Sequence, residues 1–186
     1  MITQQTLPAP PIDRREILRY ARAGTPSPEL EALLDACLHE AAPQLTYRVC
    51  FGEFPITIDG ARIDFGFTAI ESAALAKFLD GAQAAILLAA TVGTPLDRLI
   101  ARASVISPTK ALLLDAIGTE RVEALCDTFS ASPRFSPGYG DLPLEFQREI
   151  FRALDCARRI GLSLTDSLLM TPSKSVTAIL PIKEQV

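Results

Sequence analysis

The chain has 186 residues, 48% of them hydrophobic and 22% charged, with a formal net charge of −4. That size and mix fit one folded domain with a substantial core of its own. The absence of a basic cluster and of tryptophan argues against nucleic acid, and the longest apolar stretch, AAILLAATVG, is far short of the roughly 20 residues of a membrane-spanning helix.

No charged-then-apolar leader opens the chain, which points to a cytoplasmic protein with no membrane partner. The four cysteines, Cys37, Cys50, Cys126 and Cys156, are scattered, with no CxxC, and read as reduced, mostly buried thiols. His39, the single histidine, stands on an ordinary helical stretch, so neither a zinc site nor a Ser/His/Asp triad is expected.

In chain order, the Pro-rich residues 1–11 read as an extended arm. Asp13 is placed to cap a first helix, with Glu16 at the third helical position to return the bond and Ile12 stapling against Ile17. Ser27 and Pro28 open a second helix, whose Leu30, Leu33, Leu34, Cys37, Leu38 and Ala41 share one face. The period then changes to two. TYRVCF and ARIDFGF alternate apolar and polar residues around an Asp59-Gly60 hairpin, so residues 46–67 are expected as antiparallel strands with one buried face.

A short helix over about residues 70–79 follows, and AAILLAATV reads as a fully buried strand. Helices are expected near 95–104 and over 108–129, the second capped by Ser107 and carrying Gly118, whose interior position signals close packing. An amphipathic helix spans 143–160 and stops at Gly161, and the remaining residues suggest two short strands around a polar turn. Helices and antiparallel strands mixed in this order make the fold class α+β.

Three groups of residues bear on function. In SPRFSPGYGD, residues 132–141, glycines flank Tyr139, Pro137 stiffens the approach and Arg134 supplies a planar fork for a carboxylate or phosphate. This stretch is either a tight structural connection or a cradle for a zwitterionic or anionic small ligand bearing a ring. Thr165, Asp166, Ser167, Ser173 and Ser175 either satisfy strand ends or form a polar rim, with Met170 as an adaptable contact and Lys174 as a possible partner for an anion. The acids Asp115, Glu123 and Asp127 either form a solvated helix face or approach a ligand amine or ribose hydroxyl. GxGxxG, GxxxxGK[ST] and HExxH are all absent.

The run Arg134-Phe135-Ser136-Pro137-Gly138-Tyr139 resembles the Arg-x-x-x-Gly-Tyr motif of the activation domain of cobalamin-dependent methionine synthase. A second run resembles the same family, after a helix ending in Gly161: Leu164-Thr165-Asp166-Ser167, Met170, Pro172 and Ser175-Val176. The likeness is good over residues 134–176, extends back to about residue 108 and fades in the N-terminal half. It implies a single domain over residues 1–186, curved, with a twisted antiparallel sheet surrounded by helices.

The resemblance further implies that the domain binds S-adenosylmethionine and supports reductive methylation of cob(II)alamin, the electron coming from a flavodoxin-like donor. Arg134 would grip the methionyl carboxylate. Pro137, Gly138 and Tyr139 would hold the cofactor, Glu123 would match the family's acid in its Glu-Ala-apolar context, and Ser175 would belong to the same site. Gly140 stands where the long enzymes usually have proline, and Thr171 where they often have an aromatic residue. With no Asp-x-His-x-x-Gly cobalamin motif, the chain is expected to act in trans on a cobalamin-binding methionine synthase or related corrinoid protein. Two alternatives stay open: a docking protein that has lost the cofactor, or an accessory subunit of another corrinoid methyltransferase.

Overall fold

In the computed structural model, which describes residues 1–183, the extended N-terminal residues are recruited into a sheet as β1 (Ile2–Thr6). Asp13 accepts bonds from the N–H groups of Arg15 and Glu16 and so starts α1 (Arg14–Tyr20). Glu16 does not return the bond. It pairs with Arg19 one turn on, and the Asp13 N–H donates at 3.0 Å to Glu120 on a distant helix. Ser27 caps α2 (Pro28–Ala41), whose Leu34, Cys37 and Ala41 are fully buried.

The next strands are β2 (Arg48–Pro55), β3 (Thr57–Asp59), β4 (Arg62–Asp64) and β5 (Ala69–Glu71). Gly60, at φ 59°, makes the expected hairpin between β3 and β4, with Asp59 opposite Arg62. The helix expected over 70–79 is shorter, α3 (Ala73–Phe78), because residues 69–71 pair with β4 instead. Then come β6 (Ala84–Thr91), α4 (Thr94–Ile106) and α5 (Pro108–Phe129), with Ser107 accepting from the Lys110 N–H as cap.

The helix expected over 143–160 is broken. A 3-10 turn (Leu144–Phe146) leads into α6 (Gln147–Leu154), and Asp155 at φ 52° separates it from α7 (Cys156–Ile160). Asp tolerates this left-handed conformation, and the break lets α7 bury Cys156 and Ile160. Gly161 ends α7 at φ 68°. The C-terminal part forms a hairpin of β7 (Ser163–Leu164) and β8 (Met170–Thr171), then an eight-residue strand, β9 (Ser175–Ile182), longer than the sequence pattern suggests.

The main sheet is antiparallel throughout, in the order β1-β2-β6-β9. Successive side chains point to opposite faces, and here both faces are covered. Val49, Leu88, Ala90, Ala178 and Leu180 pack against α1, α2, α4 and α5. Cys50, Leu87, Ala89 and Ile179 pack on the other side against α3, α6, α7 and the small β3-β4-β5 sheet. The expectation of one buried face for the first strands therefore fails at β2, where neighbouring Val49 and Cys50 are both fully buried. The whole is an α+β fold, with helices around an antiparallel sheet. No helix among the described residues is long and apolar enough to cross a membrane.

Candidate functional site

The sequence motif around Arg134 lies along the β9 edge of the main sheet. Phe135 forms a two-way backbone bridge with Ile179, its N–H donating at 3.0 Å and its carbonyl accepting at 2.8 Å. Its ring is buried between Phe78 and Tyr139, both with centroids 5.3 Å away. Alternation along an extended segment then sends the neighbouring Arg134 the other way, over α5.

There the Arg134 guanidinium meets two carboxylates one turn apart on α5. Its Nη1 donates to Asp127 at 2.6 Å and its Nη2 to Glu123 at 3.0 Å. Only 18% of the Arg134 side chain is exposed. Burial works against the charge, but the bond to Asp127 and the surrounding negative charge outweigh it, so the pKa stands above the ordinary arginine value. The structure thus brings together Arg134 and Glu123, and shows Glu123 as a partner of the arginine. Asp127 completes the trio.

The turn that follows is closed by its own backbone. Gly138 N–H donates to the Leu142 carbonyl, Tyr139 N–H to Ser136 and Leu142 N–H to Tyr139, at 2.9–3.1 Å. Pro137 is buried beneath it. Gly138 and Gly140 take φ of 87° and 58°, conformations costly to other residues. Proline, held near φ −65°, does not fit the backbone at Gly140. Asp141 next accepts from the Ser72 hydroxyl and from the N–H groups of Ala73 and Ala74, pinning the turn to the start of α3. Tyr139 stands 69% exposed. The turn therefore presents one aromatic ring to solvent, with the N–H groups of Gly138, Tyr139 and Leu142 used internally.

Ser175 lies elsewhere. Its Oγ is 2.8 Å from both Thr91 Oγ1 and the Pro172 carbonyl, buried at the start of β9. Four residues along that strand, about 13 Å, separate it from Ile179 and the Arg134 bridge. Its neighbours in the second motif are anchored too: Ser173 to Asp97 of α4, and Lys174 to Asp115 and Thr119 of α5 at 2.7 and 3.1 Å. Lys174 lies where α5 carries Gly118, since a Cβ there would meet its Cγ at 2.7 Å. The close packing read from that glycine is real. Met170 is half-buried against the second core.

A cavity of about 450 Å³ opens between α5 and α1, lined among others by Glu120, Glu123 and Asp127 but by neither Arg134 nor Tyr139. It shares Glu123 and Asp127 with the arginine, so the cavity and the motif meet at these two carboxylates. Beside it Arg121, 1% exposed, is paired with Glu120 and donates at 2.6 Å to the carbonyls of Pro10 and Pro11. Glu120 and Arg121 are adjacent in sequence, and nothing local marked them as a buried pair. Nothing local in the sequence marked Asp141 or the Phe135 bridge, because their partners lie tens of residues away.

Residues 119–186 match the family model described as "Vitamin B12 dependent methionine synthase, activation domain". The resemblance read from the two motifs is borne out over that segment. No curated protein sequence matches the chain. Among solved structures, the fold is similar to "Crystal Structure of the MetH Reactivation Domain bound to AdoHcy", with a TM-score of 0.69 and 15% identity, covering 100% of this chain and 80% of that one. At that identity the likeness is one of fold. It extends through the N-terminal half, where the sequence resemblance fades.

Proposed function

We propose that this protein binds S-adenosylmethionine and acts as a reactivation subunit for a separate cobalamin-dependent methionine synthase or related corrinoid protein. The observation that carries the reading is the Arg134 guanidinium held at the sheet edge beside the Pro137–Tyr139 turn, inside the segment that matches the activation-domain family. The residues suit such a ligand. Arg134 offers a bidentate fork to a carboxylate by exchanging one of its present acids. Backbone around Pro137 and Gly138 would hold the ligand together with Tyr139, which offers an exposed aromatic face. Glu123 keeps the arginine charged and aimed, and Ser175 holds the start of β9 in place.

Once bound, S-adenosylmethionine would supply the methyl group, leaving as S-adenosylhomocysteine, to a cobalt reduced by an electron from a flavodoxin-like donor. The chain's own contribution is positioning, with the corrinoid carried by the partner in the cytoplasm. Calorimetric titration with S-adenosylmethionine tests this directly. Arg134→Ala is expected to weaken binding by about 1.5–3 kcal/mol, roughly ten- to a hundredfold in Kd, through loss of a charge-assisted bond. Unchanged affinity would move the site elsewhere.

One observation favours a second reading, a docking protein without the cofactor: both terminal nitrogens of Arg134 are already paired with acids. If neither the protein nor its complex with a corrinoid protein takes up S-adenosylmethionine, that reading replaces the first.

A further inference from the structure

At the opposite edge of the main sheet, two arginines line one cavity. Arg48 of β2 and Arg159 of α7 line one cavity of about 100 Å³ together with Gln4, Gln5 and Thr6 of β1. Thr6 stands opposite Arg48 and Gln4 opposite Cys50, so Gln4 and Thr6 share the Arg48 face of the sheet. Neither guanidinium has a carboxylate partner among the described residues. Asp155, the nearby acid on the same helical segment, is taken by Arg158 at 2.7 Å.

Three buried side-chain polar atoms among the described residues lack a hydrogen-bond partner, and two of them are Arg48 Nε and Arg159 Nε. A buried unpaired donor is costly, and two like charges facing one small cavity add repulsion. An oxyanion removes both penalties at once, since planar guanidinium groups match its paired oxygens. The volume is about that of three waters, too small for a nucleotide and sufficient for one phosphate or carboxylate group.

We infer that Arg48 and Arg159, with Gln4 and Thr6, form a binding site for a small oxyanion. The site is independent of the Arg134 motif, which lies across three strand spacings at the β9 edge.

The test is NMR of the arginine Nε–H signals in the full chain, titrated separately with inorganic phosphate and with acetate against chloride at matched ionic strength. Saturable shifts of Arg48 and Arg159 with either probe are expected, and the stronger probe names the class. Arg159→Gln should weaken binding about tenfold or more, the loss of a charge-assisted partner, while the backbone spectrum is retained. If that variant fails to fold, Arg159→Lys, which keeps the charge but lacks the Nε–H, takes its place. Absence of saturation with both probes, or affinity unchanged in the folded variant, overturns the inference.

Discussion

At the scale of single residues, Asp141 does the work expected of a helix cap from 68 residues away. Its carboxylate accepts from Ala73 N–H at 2.8 Å and Ala74 N–H at 3.2 Å, as well as from Ser72. The Ser72 bond, followed by these backbone bonds, holds its pKa below the ordinary 3.8. A carboxyl with a lowered folded pKa stabilises the fold above its unfolded value, and that contribution is lost as pH falls towards the folded one. Asp141→Asn is therefore expected to be less stable than the wild type at neutral pH, the gap closing as pH falls through the ordinary 3.8 towards the lower folded value. Chemical denaturation at several pH values checks this; a gap independent of pH would show that the charge is irrelevant.

At the scale of elements, α5 organises the molecule. Its buried stripe enters the first core, its Lys174 contacts steady the second motif, and its Glu123 and Asp127 hold Arg134. Arg121 ties it to the N-terminal segment through the Pro10 and Pro11 carbonyls, while Glu120 accepts from Asp13 N–H at the start of α1. Removing one member of a buried ion pair leaves the other charge uncompensated. Arg121→Ala is expected to cost about 3–5 kcal/mol, and adding Glu120→Gln should recover part of it. Urea unfolding of the single and double variants measures both. A full additive loss would mean that the arginine acts only by packing.

At the scale of the whole molecule, one sheet serves two cores. Cys37 and Cys126 belong to the first and Cys50 and Cys156 to the second, and all four thiols are buried and free. Burial pushes the Cys126 thiol up to about 12, which further suppresses its reactivity. Because alternate residues of β2, β6 and β9 feed opposite cores, loss of these strands disrupts both cores together. Thiol labelling across a denaturant series should therefore give coincident midpoints for variants that keep only one pair of cysteines. Separated midpoints would show two independent folding units, contrary to two-state behaviour.

Local chemistry alone made much of this legible. Asp13, Ser27 and Ser107 are caps by side-chain type, Asp59-Gly60 is a hairpin by backbone freedom, and β6 is buried because it is apolar on both faces. The Arg134–Tyr139 and 161–176 motifs were likewise visible, along with the family they resemble. Only the tertiary structure decided which charges meet. Glu123 and Asp127 face Arg134, Asp141 caps α3, Arg121 is buried with Glu120, and Arg48 is set beside Arg159. A cap or a turn is determined by interactions within a few residues, which sequence displays. A charge cluster depends on which elements the shared sheet brings side by side, and no local pattern records that.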